Sequence, residues 1–251
     1  MRGLSLFTGG GIGDLAAAAA GLETVAQCEN DPVCQYALRQ LWPDSYLFED
    51  VHDVSGRALR QRGLWPIDII SGGFPCQDIS TAWRGAGIEG SRSGLWREMF
   101  RVIRQVRPAW ILIENVPALR VRGADRVIAP LERIGYTCWP LVVGAWAVGA
   151  PQKRDRVWIV GYAGSVSVDG RTPQPWREEV ERIAPLWPSL RGRRQSGWER
   201  SRLFEFGVGG ATDGVAGRVH SRANKAMLRI LGNGWVYPIA EIIYRWIASK
   251  V

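Results

Sequence analysis

The stretch Ile69-Ile70-Ser71-Gly72-Gly73-Phe74-Pro75-Cys76-Gln77-Asp78-Ile79-Ser80 passes from an apolar run into a loop shaped by glycine and proline. The apolar run predicts a buried strand, and the glycines and the proline predict the turn that ends it. A cysteine in such a loop can be a nucleophile, but a lone loop cysteine is more often inert. Cys76 is therefore a candidate catalytic residue whose interpretation depends on the motifs around it.

Two charged motifs border other apolar runs. Glu114 directly follows Ile111-Leu112-Ile113, and the end of a buried strand is a costly place for a carboxylate unless it is paired or functional. Arg154 and Arg156 are two positions apart in Gln152-Lys153-Arg154-Asp155-Arg156. In an extended chain their side chains are therefore predicted to lie on the same side. From the residues alone, two alternatives stay open. The glutamate could form a structural ion pair with an arginine, and the arginines could lie on a solvated strand edge.

Glycines dominate the segment after the first apolar run. They allow the backbone of Phe7-Thr8-Gly9-Gly10-Gly11-Ile12-Gly13-Asp14 to turn tightly and approach a ligand at a helix N-terminus. Gly11-Ile12-Gly13-Asp14-Leu15-Ala16 also fits the dinucleotide pattern G-x-G-x-x-A, so an NAD enzyme and a plain structural turn both stay open. Glu29, after a second predicted strand, can accept hydrogen bonds from ribose hydroxyls. Asp50, with Val51 beside it, is either an adenine contact or a solvated loop acid.

The composition is that of a globular domain with an excess of positive charge. The 251 residues are 46% hydrophobic, enough for one large domain with or without a small insertion. Thirty-two Lys and Arg against 24 Asp and Glu give a net charge of +8, which favours a polyanionic partner such as nucleic acid without demonstrating one.

The four cysteines have no C-x-x-C spacing and only two histidines accompany them, so no structural metal is expected. Cys28, Cys34 and Cys138 are predicted to be buried hydrophobes in a reducing compartment. The first residues differ from a signal peptide and no apolar run has membrane length, which predicts a cytoplasmic protein without a membrane partner.

Strand and helix patterns alternate in the first part of the chain, which predicts an α/β fold. The predicted strands are Leu4–Phe7, Thr24–Gln27, Ile67–Ile70, Trp110–Ile113 and Leu141–Val143. The predicted helices run from an Asp14 N-cap through Ala16–Ala20, from Asp31-Pro32 through Val33–Leu41, from Ser93 through Leu95–Val106, and over Pro238–Lys250. Residues 162–222, rich in Pro, Gly, Arg and Trp, have weak periodicity and are predicted to be an irregular insertion.

The motifs together closely resemble those of DNA cytosine-5 methyltransferases of prokaryotic or phage type. The resemblance rests on Gly73-Phe74-Pro75-Cys76-Gln77, Glu114-Asn115-Val116 and Gln152-x-Arg154-x-Arg156, in that order. Leu231-Gly232-Asn233-Gly234-Trp235-Val236-Tyr237-Pro238 resembles the last motif of the family. The chain departs from the family at Ile12, where glycine is frequent, and within that last motif, where Trp235 and Tyr237 replace small and apolar residues.

The resemblance implies a Rossmann-like mixed sheet with helices on both faces that binds S-adenosylmethionine. It places the catalytic domain at residues 1–161 and 223–251 and a small target-recognition region at residues 162–222. The implied cofactor contacts are Phe7, Thr8, Gly9, Gly11, Glu29, Asn30, Asp50, Val51, Pro75, Leu95, Asn233 and Gly234.

The resemblance also implies the chemistry. Cys76 would add to carbon 6 of a cytosine flipped out of double-stranded DNA, and Glu114 would bind ring nitrogen 3. Arg156 would contact the cytosine carbonyl oxygen, and Arg154 would position Glu114 or a phosphate. The predicted nucleic-acid contacts are Gln77, Ser80, Gln152, Arg191, Arg193 and Arg194.

The implied role is restriction-modification or protection of phage DNA by a monomer, with a cognate restriction endonuclease acting separately. Two alternatives stay open. One is a tRNA cytosine-5 methyltransferase, because a related branch shares these motifs. The other is a DNA-binding protein that has lost turnover, for which the departures at Ile12, Trp235 and Tyr237 are the support. An NAD oxidoreductase has no need of Cys76, Glu114 and Arg156 together.

Overall fold

The structure, a computed structural model, describes residues 1–75, 94–148, 154–164 and 234–251. The strands are β1 Arg2–Leu6, β2 Glu23–Cys28, β3 Tyr46–Phe48, β4 Ile69–Gly72, β5 Trp110–Asn115, β6 Tyr136–Gly144 and β7 Asp155–Ala163. The helices are α1 Ile12–Ala19, α2 Pro32–Leu41, α3 Gly56–Gln61, α4 Gly94–Val106, α5 Ala118–Arg122, α6 Ala124–Arg133 and α7 Tyr237–Ala248. Short 3-10 turns lie at Val51–Asp53 and Ala145–Val148.

The seven strands form one mixed sheet in the order β3-β2-β1-β4-β5-β7-β6. Strands β1 to β5 pair in parallel, whereas β7 pairs antiparallel with both β5 and β6. The chain moves outward from β1 to β3 and then returns to the other side of β1 with β4. Such a reversal opens a crevice at the carboxyl ends of the strands, which is where ligands bind in open α/β sheets.

Alternate residues of the central strands supply two separate cores, one on each face of the sheet. Ile111 and Ile113 of β5 belong to the core that α4 and α6 cover. Trp110 and Leu112 of the same strand belong to the core that α7 covers, and α7 also packs against α1. Helices therefore cover both faces, and the predicted mixed Rossmann-like architecture is confirmed.

All five predicted strands are present, with shifted ends. The first strand ends at Leu6 because Phe7 adopts a left-handed backbone conformation with φ 55°. Strand β6 is much longer than predicted, since it continues through Pro140. It tolerates this proline because it is an edge strand of the sheet. Strand β7 continues through Ala163, two residues into the segment predicted to be irregular.

The predicted helices after Asp31 and over the C-terminal segment are confirmed. The Asp31 carboxylate caps α2 by accepting hydrogen bonds from the backbone N–H groups of Val33 at 2.8 Å and Cys34 at 3.4 Å. The predicted apolar stripe of α7 is buried throughout: Ile239, Ile242, Ile243, Trp246 and Ile247. The stripe of α4 is likewise buried at Met99, Val102, Ile103 and Val106, whereas Leu95 is half-buried.

The prediction that Asp14 caps α1 is wrong. The helix begins at Ile12, and its N-cap residue is Gly11, which has φ 81° and no side chain to offer. Asp14 lies in the first turn with 2% of its surface exposed, beside Ser5, whose hydroxyl donates to Oδ2 at 3.4 Å. Burial raises the pKa of the Asp14 carboxyl to about 7, and hydrogen bonds from neighbouring side chains offset only part of that rise.

Two further observations apply within the described ranges alone. The cysteines Cys28, Cys34 and Cys138 are buried there, as predicted. Among the same residues no helix is long and apolar enough to cross a membrane, and no cluster of three or more metal-ligating side chains occurs.

Substitution of Asp14 by Asn should remove a pH-dependent loss of stability. The raised pKa means that the stability contributed by protonated Asp14 is present below its ordinary pKa and is lost as pH rises through about 7. We expect the Asn variant to have a free energy of unfolding higher by roughly 1–3 kcal/mol at about pH 8. Denaturant unfolding across a pH series measures this difference. The exposed Asp125→Asn variant is the control, and an Asp14 variant that follows the wild-type pH dependence would contradict the assignment.

Candidate active site

The side chains predicted to form the site lie at one edge of the sheet. Parallel strands place their carboxyl ends together, so the residues that follow β1, β2, β3 and β4 share this edge with the end of β5. These residues are Phe7, Glu29, Asp50, Pro75 and Glu114. The predicted contact residues therefore lie along one edge of the sheet, on both sides of the crevice between β1 and β4.

The backbone of the glycine-rich loop adopts an unusual conformation beside this crevice. Phe7, Gly9 and Gly11 all have left-handed φ angles of 55°, 59° and 81°. For a phenylalanine this conformation is strained, and such strain concentrates at functional sites. Thr8 fixes the loop, because its hydroxyl contacts the carbonyl oxygens of Ser5 at 3.1 Å and Cys28 at 3.2 Å.

Glu29 joins the glycine-rich loop to the end of β2. Its carboxylate accepts hydrogen bonds from the backbone N–H groups of Gly9 at 2.7 Å, Asn30 at 2.9 Å and Asp31 at 2.8 Å. Each carboxylate oxygen has two lone pairs, so these bonds leave acceptor capacity for a ligand hydroxyl. The position fits the ribose-binding role that the sequence predicts.

Asp50 and Val51 follow β3 at the same edge. Asp50 is exposed, and Val51 is buried. A hydrogen bond from the backbone N–H of His52 lowers the pKa of Asp50, and the His52 ring adds to this effect. Asp50 Oδ1 makes both contacts, at 2.9 Å and 2.6 Å. A ligand amine would therefore find an ionised carboxylate here.

A small cavity of about 40 Å³ lies beneath the loop. Its lining includes Phe7 and Thr8 of the loop together with Gly73, Glu114 and Trp235. Gly234 of the predicted last motif also lines this cavity, whereas Leu95 is half-buried in the first turn of α4.

The sequence singled out Trp235 as unusual but did not predict what the indole contacts. It packs edge-on against Trp158, with ring centroids 5.2 Å apart, and stacks on Tyr244 at 6.3 Å. A Cβ atom at Gly13 would lie 3.1 Å from the indole ring. The absence of a side chain at Gly13 therefore leaves room for the large side chain of Trp235. A glycine at position 13 together with a tryptophan at position 235 is the sequence feature that could have indicated this contact.

Glu114 is the charged centre of the site. It is 8% exposed, and burial raises the pKa of its carboxyl to about 7, while the charges of Arg156 and Arg154 hold it lower than burial alone would. Arg156 Nε lies 2.9 Å from Glu114 Oε1. Burial thus favours the protonated form of this carboxyl more than in a solvated glutamate, and the two arginines oppose that effect.

The two arginines make different contacts at this edge of the sheet. Arg156, predicted to contact the cytosine carbonyl, pairs with Glu114 and donates through Nη1 to the Asp155 carbonyl at 2.8 Å. Arg154, predicted to position Glu114 or a phosphate, donates through Nη2 to the Gly234 carbonyl at 2.7 Å. Arg154 thus ties the C-terminal segment to the catalytic edge.

Asn115 links the end of β5 to the loop that carries Cys76. Its buried amide donates to the Phe74 carbonyl at 3.1 Å. A Cβ atom at Gly73 would lie 3.2 Å from Glu114 Oε2 and 3.2 Å from the Glu114 carbonyl oxygen. The backbone just before Cys76 therefore lies against the Glu114 carboxyl.

Several predicted site residues lie outside the described residues: Cys76, Gln77, Ser80, Gln152, Arg191, Arg193, Arg194 and Asn233. Pro75, the last described residue before Cys76, is exposed. Apart from residues 162–164, the predicted target-recognition region also lies outside the described ranges.

Curated relatives of this chain are bacterial Type II methyltransferases. M2.BsuMI of Bacillus subtilis (strain 168) is 36% identical over 165 residues, which cover 62% of this chain and 41% of the relative. M.NgoFVII of Neisseria gonorrhoeae is 32% identical over 181 residues, which cover 70% of this chain and 48% of the relative. The chain spans less than half the length of either relative.

Solved structures share the fold. A protein assigned as a DNA modification methyltransferase of an E. coli prophage superposes with a TM-score of 0.59 at 27% identity, over 67% of this chain and 48% of that one. The Dnmt2 methyltransferase of S. pombe superposes with a TM-score of 0.69 at 13% identity, over 100% of this chain and 98% of that one. The second likeness concerns the fold alone.

The family model described as C-5 cytosine-specific DNA methylase matches residues 1–187, more than half of the chain. That match spans the glycine-rich loop, the loop of Cys76, Glu114 and the two arginines. The chain belongs to the C-5 cytosine-specific DNA methylase family.

Proposed function

We propose that this protein transfers a methyl group from S-adenosylmethionine to carbon 5 of cytosine in DNA, through a covalent bond between Cys76 and a flipped-out base. The observation that carries the proposal is the Glu114 carboxyl, which has a pKa of about 7 and lies between Arg156 and the backbone that leads into Cys76. A buried carboxyl that is partly protonated at neutral pH can donate a hydrogen bond to a ring nitrogen.

The residues at the carboxyl edge of the sheet fit the proposed cofactor. Glu29 would accept from a ribose hydroxyl, Asp50 from the adenine amine, and Val51 would pack on the adenine ring. The left-handed loop from Phe7 to Gly11 would bring backbone close to the methionine part. When bound, S-adenosylmethionine supplies an electrophilic methyl group.

Cytosine carbon 5 needs activation before it can attack that methyl group. The Cys76 thiolate would form a bond from Sγ to carbon 6, and the electron pair of the ring double bond would move toward nitrogen 3. Protonated Glu114 would neutralise this charge by donating to nitrogen 3. Carbon 5 could then attack the methyl group, with S-adenosylhomocysteine as the leaving group, while nitrogen 3 returns its proton to Glu114. Loss of the carbon 5 proton to a solvent base and departure of the Cys76 thiolate would then restore the ring.

Arg156 would hold the substrate and Glu114 together. Its Nε is engaged by Glu114 and its Nη1 by the Asp155 carbonyl, which leaves Nη2 for the cytosine carbonyl oxygen. Arg154 would act on the same site through its charge and by anchoring Gly234. The proposed role of Arg156 at cytosine thus includes its contact with Glu114.

Cys76 would differ from the other thiols in its environment. Burial raises the pKa of both Cys28 and Cys138 to about 12, so these two thiols are protonated and unreactive at neutral pH. Cys76 directly follows the exposed Pro75 in the sequence. Neither of the two buried thiols is therefore a competing nucleophile for the proposed reaction.

The kinship with bacterial Type II methyltransferases and with a prophage protein supports a role in restriction-modification or in protection of phage DNA. A restriction endonuclease would then act separately on the same target. The net charge of +8 fits double-stranded DNA as the partner.

Methyl transfer to nucleic acid tests the proposed function. The protein is incubated with tritiated S-adenosylmethionine and either duplex DNA or tRNA, and the labelled product is digested to nucleosides. We expect label in 5-methylcytosine from DNA. Label confined to tRNA would show that the substrate is tRNA and not DNA. Cofactor binding without methyl transfer to either nucleic acid would favour a binding protein.

Substitution of Cys76 by Ser should abolish methyl transfer and leave cofactor and DNA binding in place, because a serine hydroxyl is not ionised at neutral pH. Single-turnover transfer and equilibrium binding measure the two properties. The matched control is Cys138→Ser, which changes a buried thiol of β6 away from the site. Retained turnover in the Cys76 variant would remove this residue as the nucleophile.

Substitution of Glu114 by Gln should slow the single-turnover rate by about 10²–10³-fold, because the amide cannot transfer a proton to ring nitrogen 3. DNA affinity should change far less. Glu241→Gln, on the outer surface of α7, is the control for loss of a carboxylate. An unchanged rate in the Glu114 variant would refute its proposed role.

Removal of the Arg156 charge should raise the pKa of Glu114 above about 7, since that charge favours the ionised carboxylate. The protonated form would then persist to higher pH in an Arg156→Ala variant. Carbon-13 NMR of the glutamate side-chain carboxyls, with Glu114→Gln used for assignment, measures the titration. A Glu114 midpoint that stays in place or falls would show that the two side chains are not coupled.

A further inference from the structure

Helices α4 and α6 enclose an open groove of about 410 Å³ with an arginine-lined rim. Arg97 and Arg104 come from α4, and Arg126 and Arg133 come from α6. All four side chains are exposed. None of them takes part in an ion pair within the described parts of the chain, and no carboxylate lines the groove. The groove therefore concentrates four uncompensated positive charges.

The floor of the groove is apolar. It is formed by side chains that are half-buried between the two helices, chiefly Phe100, Pro130 and Ile134. Phe100 and Arg104 are four residues apart on α4, so they belong to one ridge of that helix. A floor of low polarity beneath a charged rim strengthens the field that an anion experiences in the groove.

Acidic residues near the groove do not neutralise it. Glu98 on α4 is paired with Arg101, whose Nε lies 2.6 Å from its Oε2. Asp125 and Glu132 are exposed on α6 but do not line the groove. The charged side chains that line the groove are therefore all arginines.

One end of the groove meets the catalytic edge. Trp96, at that end, packs against Phe74 with ring centroids 5.4 Å apart, and Phe74 lies two residues before Cys76. The Trp96 indole N–H also donates to the Arg126 carbonyl at 3.1 Å, which fixes α6 against α4. From Arg97 to Arg104 the helix rises about 10 Å, which matches about three nucleotides of one DNA strand.

We propose that this groove binds the phosphodiester backbone of the nucleic-acid substrate, as a contact surface separate from the crevice that holds the target base. Guanidinium groups match the geometry of phosphate oxygens, and the groove reaches Trp96, which contacts Phe74. The inference rests on the proposed function for the identity of the nucleic acid. An acidic segment of another protein is the competing occupant.

The test compares Arg104→Ala/Arg133→Ala with a control of equal charge loss, Arg39→Ala/Arg245→Ala. The two control arginines lie on α2 and α7 and pair with Glu49 and Glu241. Binding of a fluorescent DNA duplex is measured by anisotropy at several salt concentrations. We expect the groove variant to bind about tenfold more weakly, with a salt slope smaller by about 1–2, and the control to change by less than about twofold. In methyl-transfer assays the loss should appear as a raised KM for DNA.

Equal weakening in the groove variant and the control would assign the effect to bulk charge and overturn the inference. Unchanged duplex binding in the groove variant would also overturn it and favour an acidic protein as the occupant.

Methyl transfer by the wild-type protein separates the two proposals. Duplex binding that depends on the groove, without methyl transfer, would contradict the proposed function alone. Methyl transfer with a normal KM in the groove variant would contradict the groove inference alone. Charge reversal, Arg104→Glu/Arg133→Glu, should weaken binding further, and thermal unfolding verifies that each variant is folded.

Discussion

The ion pair between Glu114 and Arg156 is the interaction on which the rest of the site depends. A carboxyl at the end of a fully buried strand loses its hydration, and this loss raises its pKa to about 7. The guanidinium at 2.9 Å keeps the ionised form accessible. The protein thereby holds a carboxyl whose pKa is raised by burial and restrained by an arginine, in contact with the backbone that leads to Cys76.

The topology explains how this pair is assembled. Glu114 ends β5 and Arg156 begins β7, and the antiparallel pairing of these strands brings the two residues to the same edge of the sheet. The parallel strands on the other side bring the glycine-rich loop and Glu29 to that edge as well. The C-terminal segment completes the arrangement, since Arg154 holds Gly234 and the Trp235 indole fills the space beside Gly13.

The family resemblance implied the mixed sheet. Local sequence signals predicted five of the seven strands of the described residues and the Asp31 cap, because apolar runs and a cap before proline act over a few residues. Local signals failed where the environment of a residue depends on contacts with distant parts of the sequence. Asp14 has the chemistry of a cap, but tertiary packing buries it under Ser5. Helix α6 was not predicted either, and it contains Pro130, a residue that breaks helices in isolation. The contacts of Arg156 and Trp235, and the groove between α4 and α6, join residues that are distant in sequence, so only the fold could reveal them.

Covalent trapping of the target base tests the central claim most directly. A DNA duplex carrying 5-fluorocytosine is incubated with the protein and S-adenosylmethionine, because fluorine at carbon 5 cannot leave as a proton does and the thiol would stay attached. The account predicts a stable protein–DNA adduct by mass spectrometry, with the modified base on the peptide that contains Cys76. Methylation of ordinary cytosine without any adduct, or an adduct at another residue, would contradict it.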